Sequence, residues 1–136
     1  MDRNLQIIGL AKKAGLLAVG AEDTSLAARA GKASVVVSSC DASDNAVRRA
    51  RNSAETSHAI HIIVPYSSFE LGNVSGRGSP GTVAILDAGL AARFMRGMAE
   101  TEPERYSGAA EELAGKARVR LDTKRQTPPG KRRIVQ

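Results

Sequence analysis

Residues 11–31 read AKKAGLLAVGAEDTSLAARAG, and residues 33–39 continue as ASVVVSS. Leu16–Val19 is an apolar run with the length of a short strand. Residues 22–30 then show the spacing of apolar residues that is typical of a helix, and Gly31 is a good signal for the end of that helix. Val35–Val37 shows no alternation, which is typical of a strand buried on both faces. A strand, a helix and a buried strand in this order predict an α/β domain.

The alternation continues outward from this stretch. Helices are predicted over residues 3–14, from Asp41 or Ser43 to Glu55, for one or two turns after Ser67 or Ser68, and over residues 88–98. Another buried strand is predicted at 59–64, before Pro65, and a last strand at 82–86. The apolar positions at core spacing are Leu5, Ile8, Leu10, Val47, Ala50, Phe69, Leu71, Leu90, Phe94 and Met98. We therefore expect a three-layer α/β/α sandwich around a four-stranded sheet, whose strand directions do not follow from spacing.

The composition suits a cytoplasmic, globular protein with a nucleic-acid partner. The chain has 136 residues and a formal net charge of +6. It has no apolar run of the roughly 20 residues that a membrane span needs, and it begins without the features of a signal peptide. The single cysteine, Cys40, excludes an internal disulfide and favours a reducing compartment.

The charge divides the chain into a domain and a tail. We predict a folded domain over residues 1–99, followed by an acidic spacer and a basic, largely disordered tail over residues 100–136. Residues 98–114 hold five glutamates and one arginine, and residues 115–136 hold eight basic residues and one aspartate. A clustered basic segment favours approach to phosphates, and a solubilising tail is the alternative.

The start of the second helix is a candidate binding site. Gly20 precedes its first turn, Glu22 and Asp23 lie within it, and Lys12 and Lys13 come shortly before. Free N–H groups at a helix N-terminus bind anions, and carboxylates accept hydrogen bonds from base amino groups. The same two acidic residues could equally serve only to complement the helix dipole, and the lysines could be ordinary surface charges.

A glycine-rich loop is the second candidate. Residues 71–81 read LGNVSGRGSPG, with Arg77, Gly78 and Ser79 at the tip. Such a backbone can approach a ligand closely, and Arg77 could pair with phosphate or stack on a base. No Gly-Lys-Ser/Thr follows, so the loop is not a nucleotide-binding P-loop. Turn geometry alone is the competing explanation for the glycines.

Catalytic and metal-binding interpretations have little support, and we expect neither a metal nor a cofactor. Cys40 has no catalytic motif around it and is predicted to be a buried thiol. His58 and His61 are predicted to point to opposite faces and lack further ligands at metal spacing. No nucleophile elbow or dinucleotide fingerprint is present, so we expect a protein that is not an enzyme.

The segments LAKKAGLLAVG, GKASVVVSSCDAS and ELGNVSGRGSPGTVAILDAGLA, in this order, resemble the kink-turn-binding ribosomal protein family, which includes ribosomal proteins of the L-seven-Ae and L-thirty-e type. The resemblance covers residues 3–96 and points to a small bacterial member. It implies a mixed sheet, binding to a kink-turn RNA with tandem G·A pairs, and an association with translation or ribosomal proteins.

The resemblance also assigns the site. The family opens its RNA-contacting helix with Gly-x-Asn-Glu-x-x-Lys, and the matching positions here are Gly20, Glu22, Asp23 and Leu26, so the amide has become a carboxylate and the lysine is lost. The loop after the Leu-Gly pair is the family's second RNA contact. Two alternatives remain at this point: a protein-interaction adaptor on the same fold, and the accessory half of a ribose methyltransferase whose catalytic domain is supplied by a partner.

Overall fold

The computed structural model describes the backbone of residues 2–126 and the side chains of residues 2–115. The elements follow in the order α1 (Arg3–Lys13), β1 (Leu17–Val19), α2 (Ala21–Arg29), β2 (Val35–Ser38), α3 (Asp44–Ser57), β3 (Ile60–Ile63), α4 (Ser68–Ser75), β4 (Thr82–Ile85), α5 (Ala88–Thr101) and α6 (Pro103–Gln126). The helices and strands predicted between residues 3 and 98 are all present, with ends that differ by a few residues.

The four strands form one mixed sheet in the order β1-β4-β2-β3. β4 is antiparallel to both of its neighbours, and β2 and β3 are parallel. In the register, Val36 lies between Ala84 on one side and His61 on the other. The structure thus confirms the α/β fold class and the mixed, four-stranded sheet.

Helices cover both faces of the sheet. Because successive side chains of a strand point to opposite faces, Val35 and Val37 enter one core and Val36 enters another. The larger core lies under α1, α4 and α5, where long apolar side chains such as Phe94 pack. The smaller core lies under α2 and α3 and consists mainly of alanines, which allows these helices to approach the sheet closely. The arrangement is the predicted three-layer sandwich.

Side-chain caps determine where four of the first five helices begin. Asp2, Ser43, Ser67 and Asp87 each accept a hydrogen bond from a backbone N–H in the first turn of the helix that follows. Of the alternatives predicted, Ser43 and Ser67 are therefore the caps. α2 is the exception, because it follows Gly20 and has no side-chain cap.

Four burial predictions were wrong. Leu10 is exposed because it lies two residues from the buried Ile8 and so points away from the core. Phe69 is 66% exposed on the outer side of α4. Ile63 is partly exposed because β3 is an edge strand, buried less completely than a central one. Cys40 follows the end of β2 and is exposed.

The acidic segment packs onto the domain, which the sequence did not predict. α6 begins at Pro103 and runs through the segment predicted as an acidic spacer. Tyr106 and Leu113 are buried in the larger core, and the Tyr106 hydroxyl donates to the Ile63 carbonyl at 2.7 Å. The boundary predicted at residue 99 falls inside α5, and residues 127–136 of the predicted tail lie outside the described residues.

Within the part of the chain that the structure describes, no helix combines the length and the apolar character needed to cross a membrane.

Candidate nucleic-acid interface

The two predicted binding segments meet at one edge of the sheet. The N–H of Gly20, at the end of β1, donates to the Thr82 carbonyl at the start of β4, at 2.8 Å. The loop of residues 76–81 leads directly into β4. Because β1 and β4 are antiparallel, the start of α2 and the glycine-rich loop are neighbours in space. We call this surface the α2–loop site: Gly20, Glu22, Asp23 and residues 76–81.

An ion pair joins the two segments. Arg77 Nη1 lies 3.0 Å from Asp23 Oδ2, although the two residues are 54 positions apart in the chain. The side chains are 58% and 48% exposed, respectively. An ion pair this exposed contributes at most about 1 kcal/mol to stability, so its importance lies in placing both groups on one accessible surface.

The N-terminus of α2 is open toward solvent. Gly20 adopts φ +95°, a backbone conformation that favours glycine, and it offers no side chain to the N–H groups of the first turn. Glu22 is exposed, and no hydrogen bond or ion pair engages its side chain within residues 2–115. The site therefore combines free backbone donors, an unengaged carboxylate acceptor and the Asp23–Arg77 pair.

Close contact between α4 and the loop determines the shape of the loop. A Cβ added to Gly72 would collide with the Gly78 carbonyl, which means that the loop folds back onto the helix at this glycine. Gly76 ends α4 in the left-handed conformation, and Gly78 also has a positive φ. Ser79, next to Gly78, is exposed. At least two of the glycines are therefore required by the turn itself, so this part of the competing explanation is correct.

Lys12 and Lys13 lie beside the start of the loop. Both are exposed at the end of α1, and they line a groove of about 530 Å³ together with Asn73 and Gly76 from the end of α4. Neither lysine pairs with an acidic side chain among residues 2–115. The structure thus associates these two cations with the loop.

Two features beside the site emerged only from the structure. Asn73, which was predicted to lie in the loop of residues 71–81, belongs instead to α4, because this helix continues to Ser75, and it presents an exposed amide in the lysine groove. Leu26, at the position of the family's lysine, is 54% exposed on α2. An apolar side chain so exposed, one turn beyond Glu22, is available for contact with a partner.

The surroundings of His61 indicate that it stabilises the sheet. Its Nε2 lies 2.9 Å from the Ser38 hydroxyl on the neighbouring strand. Burial, and to a smaller extent the positive charge of Arg51, lower the pKa of His61 below its ordinary value of 6.5. The ring is therefore neutral at physiological pH and bonds within the sheet.

Comparisons with known proteins identify the fold. No family model matches the chain, and no curated protein matches its sequence. A solved structure of a protein of unknown function from Bacillus halodurans is similar with a TM-score of 0.64 and 22% identity, over 71% of this chain and 97% of that one. The Giardia lamblia 15.5kD RNA binding protein is similar with a TM-score of 0.57 and 17% identity, over 80% of this chain and 85% of that one.

Proposed function

We propose that this protein is a non-catalytic RNA-binding protein whose α2–loop site recognises a kink-turn or a similarly bent RNA with G·A pairs. The observation that carries the proposal is the Asp23–Arg77 contact, because it combines the start of α2 and the glycine-rich loop into one exposed surface. The structural similarity to an RNA-binding protein from Giardia lamblia supports the RNA-binding part of the proposal.

Each group at the site, and each of the two lysines beside it, has a specific role in this proposal. Glu22 and Asp23 accept hydrogen bonds from guanine N–H groups, each worth about 1–3 kcal/mol of discrimination between bases. The free N–H groups at the start of α2 bind the RNA backbone. Arg77, Lys12 and Lys13 neutralise phosphates, and Gly78 and Ser79 allow the loop backbone to come close to the bend.

The expected cellular role follows from the resemblance in the sequence. We place the protein in the cytoplasm, in association with ribosomal RNA or with translation proteins. With about 3–5 phosphate contacts, log K falls against log salt with a slope of about −3 to −4. A binding constant that does not change with salt contradicts this electrostatic contribution.

A double substitution tests the base contacts. E22A/D23A should weaken binding to a kink-turn RNA by about 30-fold or more, since the two lost contacts together cost at least about 2 kcal/mol. Binding to a straight duplex of equal length should stay the same or become tighter. E100A/E104A, which removes two exposed carboxylates outside the site, is the control for charge. Equal effects of E22A/D23A on the bent and straight RNAs refute direct recognition of the bases.

The exposure of Leu26 favours a second candidate, a protein-interaction adaptor on the same fold. An exposed leucine in place of a lysine lowers phosphate affinity and favours an apolar partner surface. L26K distinguishes the two functions: the RNA-binding proposal expects tighter RNA binding from the added cation. The adaptor expects capture of a protein that resists ribonuclease and is lost in L26K.

A further inference from the structure

The outer faces of α2 and α3 form a second groove, separate from the α2–loop site. The two helices pack side by side over the alanine-rich core and leave a groove of about 280 Å³ between them. Its polar lining consists of Ser25, Asn52, Ser53 and Thr56, and Arg29 and Arg49 also line it. None of the side chains that line this groove is acidic.

The two arginines are available to a ligand. Both are exposed, and within residues 2–115 the salt bridges involve Arg77 and Arg105 only, so Arg29 and Arg49 have no carboxylate partner. The acidic residues of these two helices lie mainly in their first turns, with Glu55 near the end of α3. An exposed guanidinium without a carboxylate partner suits phosphate, which it binds in a bidentate manner.

We infer that this groove binds the sugar–phosphate backbone of the RNA duplex that flanks the bent element. The inference rests on the proposed function. Arg29 lies six residues beyond Asp23 on the same helix, or about 9 Å along its axis, so a duplex that leaves the α2–loop site along α2 reaches it. Ser25, Ser53 and Asn52 provide the hydroxyl and amide groups that contact phosphate oxygens and 2′-hydroxyls without reading sequence.

The test compares two double variants on two RNAs. R29Q/R49Q removes both cations from the groove, and R93Q/R96Q removes two exposed arginines from α5, on the opposite face of the sheet. Both are assayed with a kink-turn RNA carrying a short or a long flanking duplex, at 50 and 200 mM salt, after thermal unfolding has shown that the folds are intact.

On the long-flank RNA, R29Q/R49Q should reduce the salt slope by about 1.8, since each phosphate contact contributes about 0.9. When the salt is lowered from 200 to 50 mM, the affinity of the wild type should therefore increase by a factor about 12 times larger than the increase for the variant. The short-flank RNA and R93Q/R96Q should each show less than a twofold effect.

Three results overturn the inference. The first is that R29Q/R49Q has no larger effect than R93Q/R96Q, the second is that it weakens binding to both RNAs equally, and the third is that the wild type gains no affinity from the longer flank. The first result is expected if the groove binds an acidic protein instead of RNA. Failure of the proposed function is distinguishable, because the wild type then shows no preference for the bent RNA over a straight duplex, whatever the arginine variants do.

Discussion

Substitution of Gly72 by alanine tests whether close contact between α4 and the loop holds the binding surface in shape. A Cβ at this position collides with the Gly78 carbonyl and comes within 2.8 Å of the Gly78 carbonyl carbon. Both atoms belong to the backbone, so a side-chain rotation cannot relieve the overlap. The loop of residues 76–81 must move instead.

The magnitude follows from two opposing effects. Alanine inside a helix is favoured over glycine by up to about 1 kcal/mol. Overpacking costs about 1–3 kcal/mol. Because the overlap is with backbone atoms, the overpacking cost should lie in the upper part of its range, at about 2–3 kcal/mol. We therefore expect G72A to lower the free energy of unfolding by about 1–2 kcal/mol, which shifts the urea midpoint down by about 0.5–1 M for a domain of this size.

Urea unfolding of G72A and G9A measures this effect, with G9A as the matched control. Gly9 also lies within a helix, but its Cβ would meet the Val74 carbonyl oxygen at 3.6 Å, an ordinary contact. G9A should therefore raise stability by up to about 1 kcal/mol. If G72A is as stable as G9A, the close approach of loop and helix is not a feature of the molecule. G72A should also bind the kink-turn RNA less tightly than G9A, because the displaced loop carries Arg77.

Two further predictions concern the sheet and the last helix. His61 should titrate below pH 6.5 by NMR, because its folded pKa is lowered by burial and by Arg51. The unfolded chain then binds the proton more readily, so the free energy of unfolding should fall as the pH drops from 6.5 toward the folded pKa. H61Q should lose part of this pH dependence, and equal pH profiles for H61Q and the wild type contradict this reasoning. Y106F leaves the Ile63 carbonyl without the hydrogen bond from Tyr106 and should lower the free energy of unfolding by about 1–2 kcal/mol in urea, whereas a change below about 0.5 kcal/mol means that this bond does not anchor α6.

Local patterns predicted the elements of this fold well. The unbroken Val35–Val37 run indicated a central strand, and β2 is buried along its whole length. Ser43 and Ser67 were among the predicted caps because capping acts within one turn of the chain. The same reasoning overestimated the burial of Ile63, because strand order, which decides whether a strand lies at an edge, is not a local property.

The candidate site was predicted only as separate segments. The sequence indicated an acidic first turn in α2 and a flexible loop, but not the contact between Asp23 and Arg77. It also did not indicate that α6 would pack through Tyr106, because a single aromatic residue in an acidic segment creates no periodic pattern.

The sequence by itself determined the order of helices and strands, the caps of α3 and α4 to within two residues, and the chemical character of the two candidate segments, because these depend on interactions within a few residues. Only the tertiary structure decided that Arg77 contacts Asp23, that the Gly78 carbonyl packs against Gly72, and that α2 and α3 expose a groove lined by two arginines. The contact of Arg77 with Asp23 and the packing of α2 beside α3 depend on the pairing of β4 between β1 and β2, which brings together parts of the chain that no local pattern connects. The contact of Gly72 with Gly78 is closer in sequence, but it depends on how the turn after α4 folds back onto the helix.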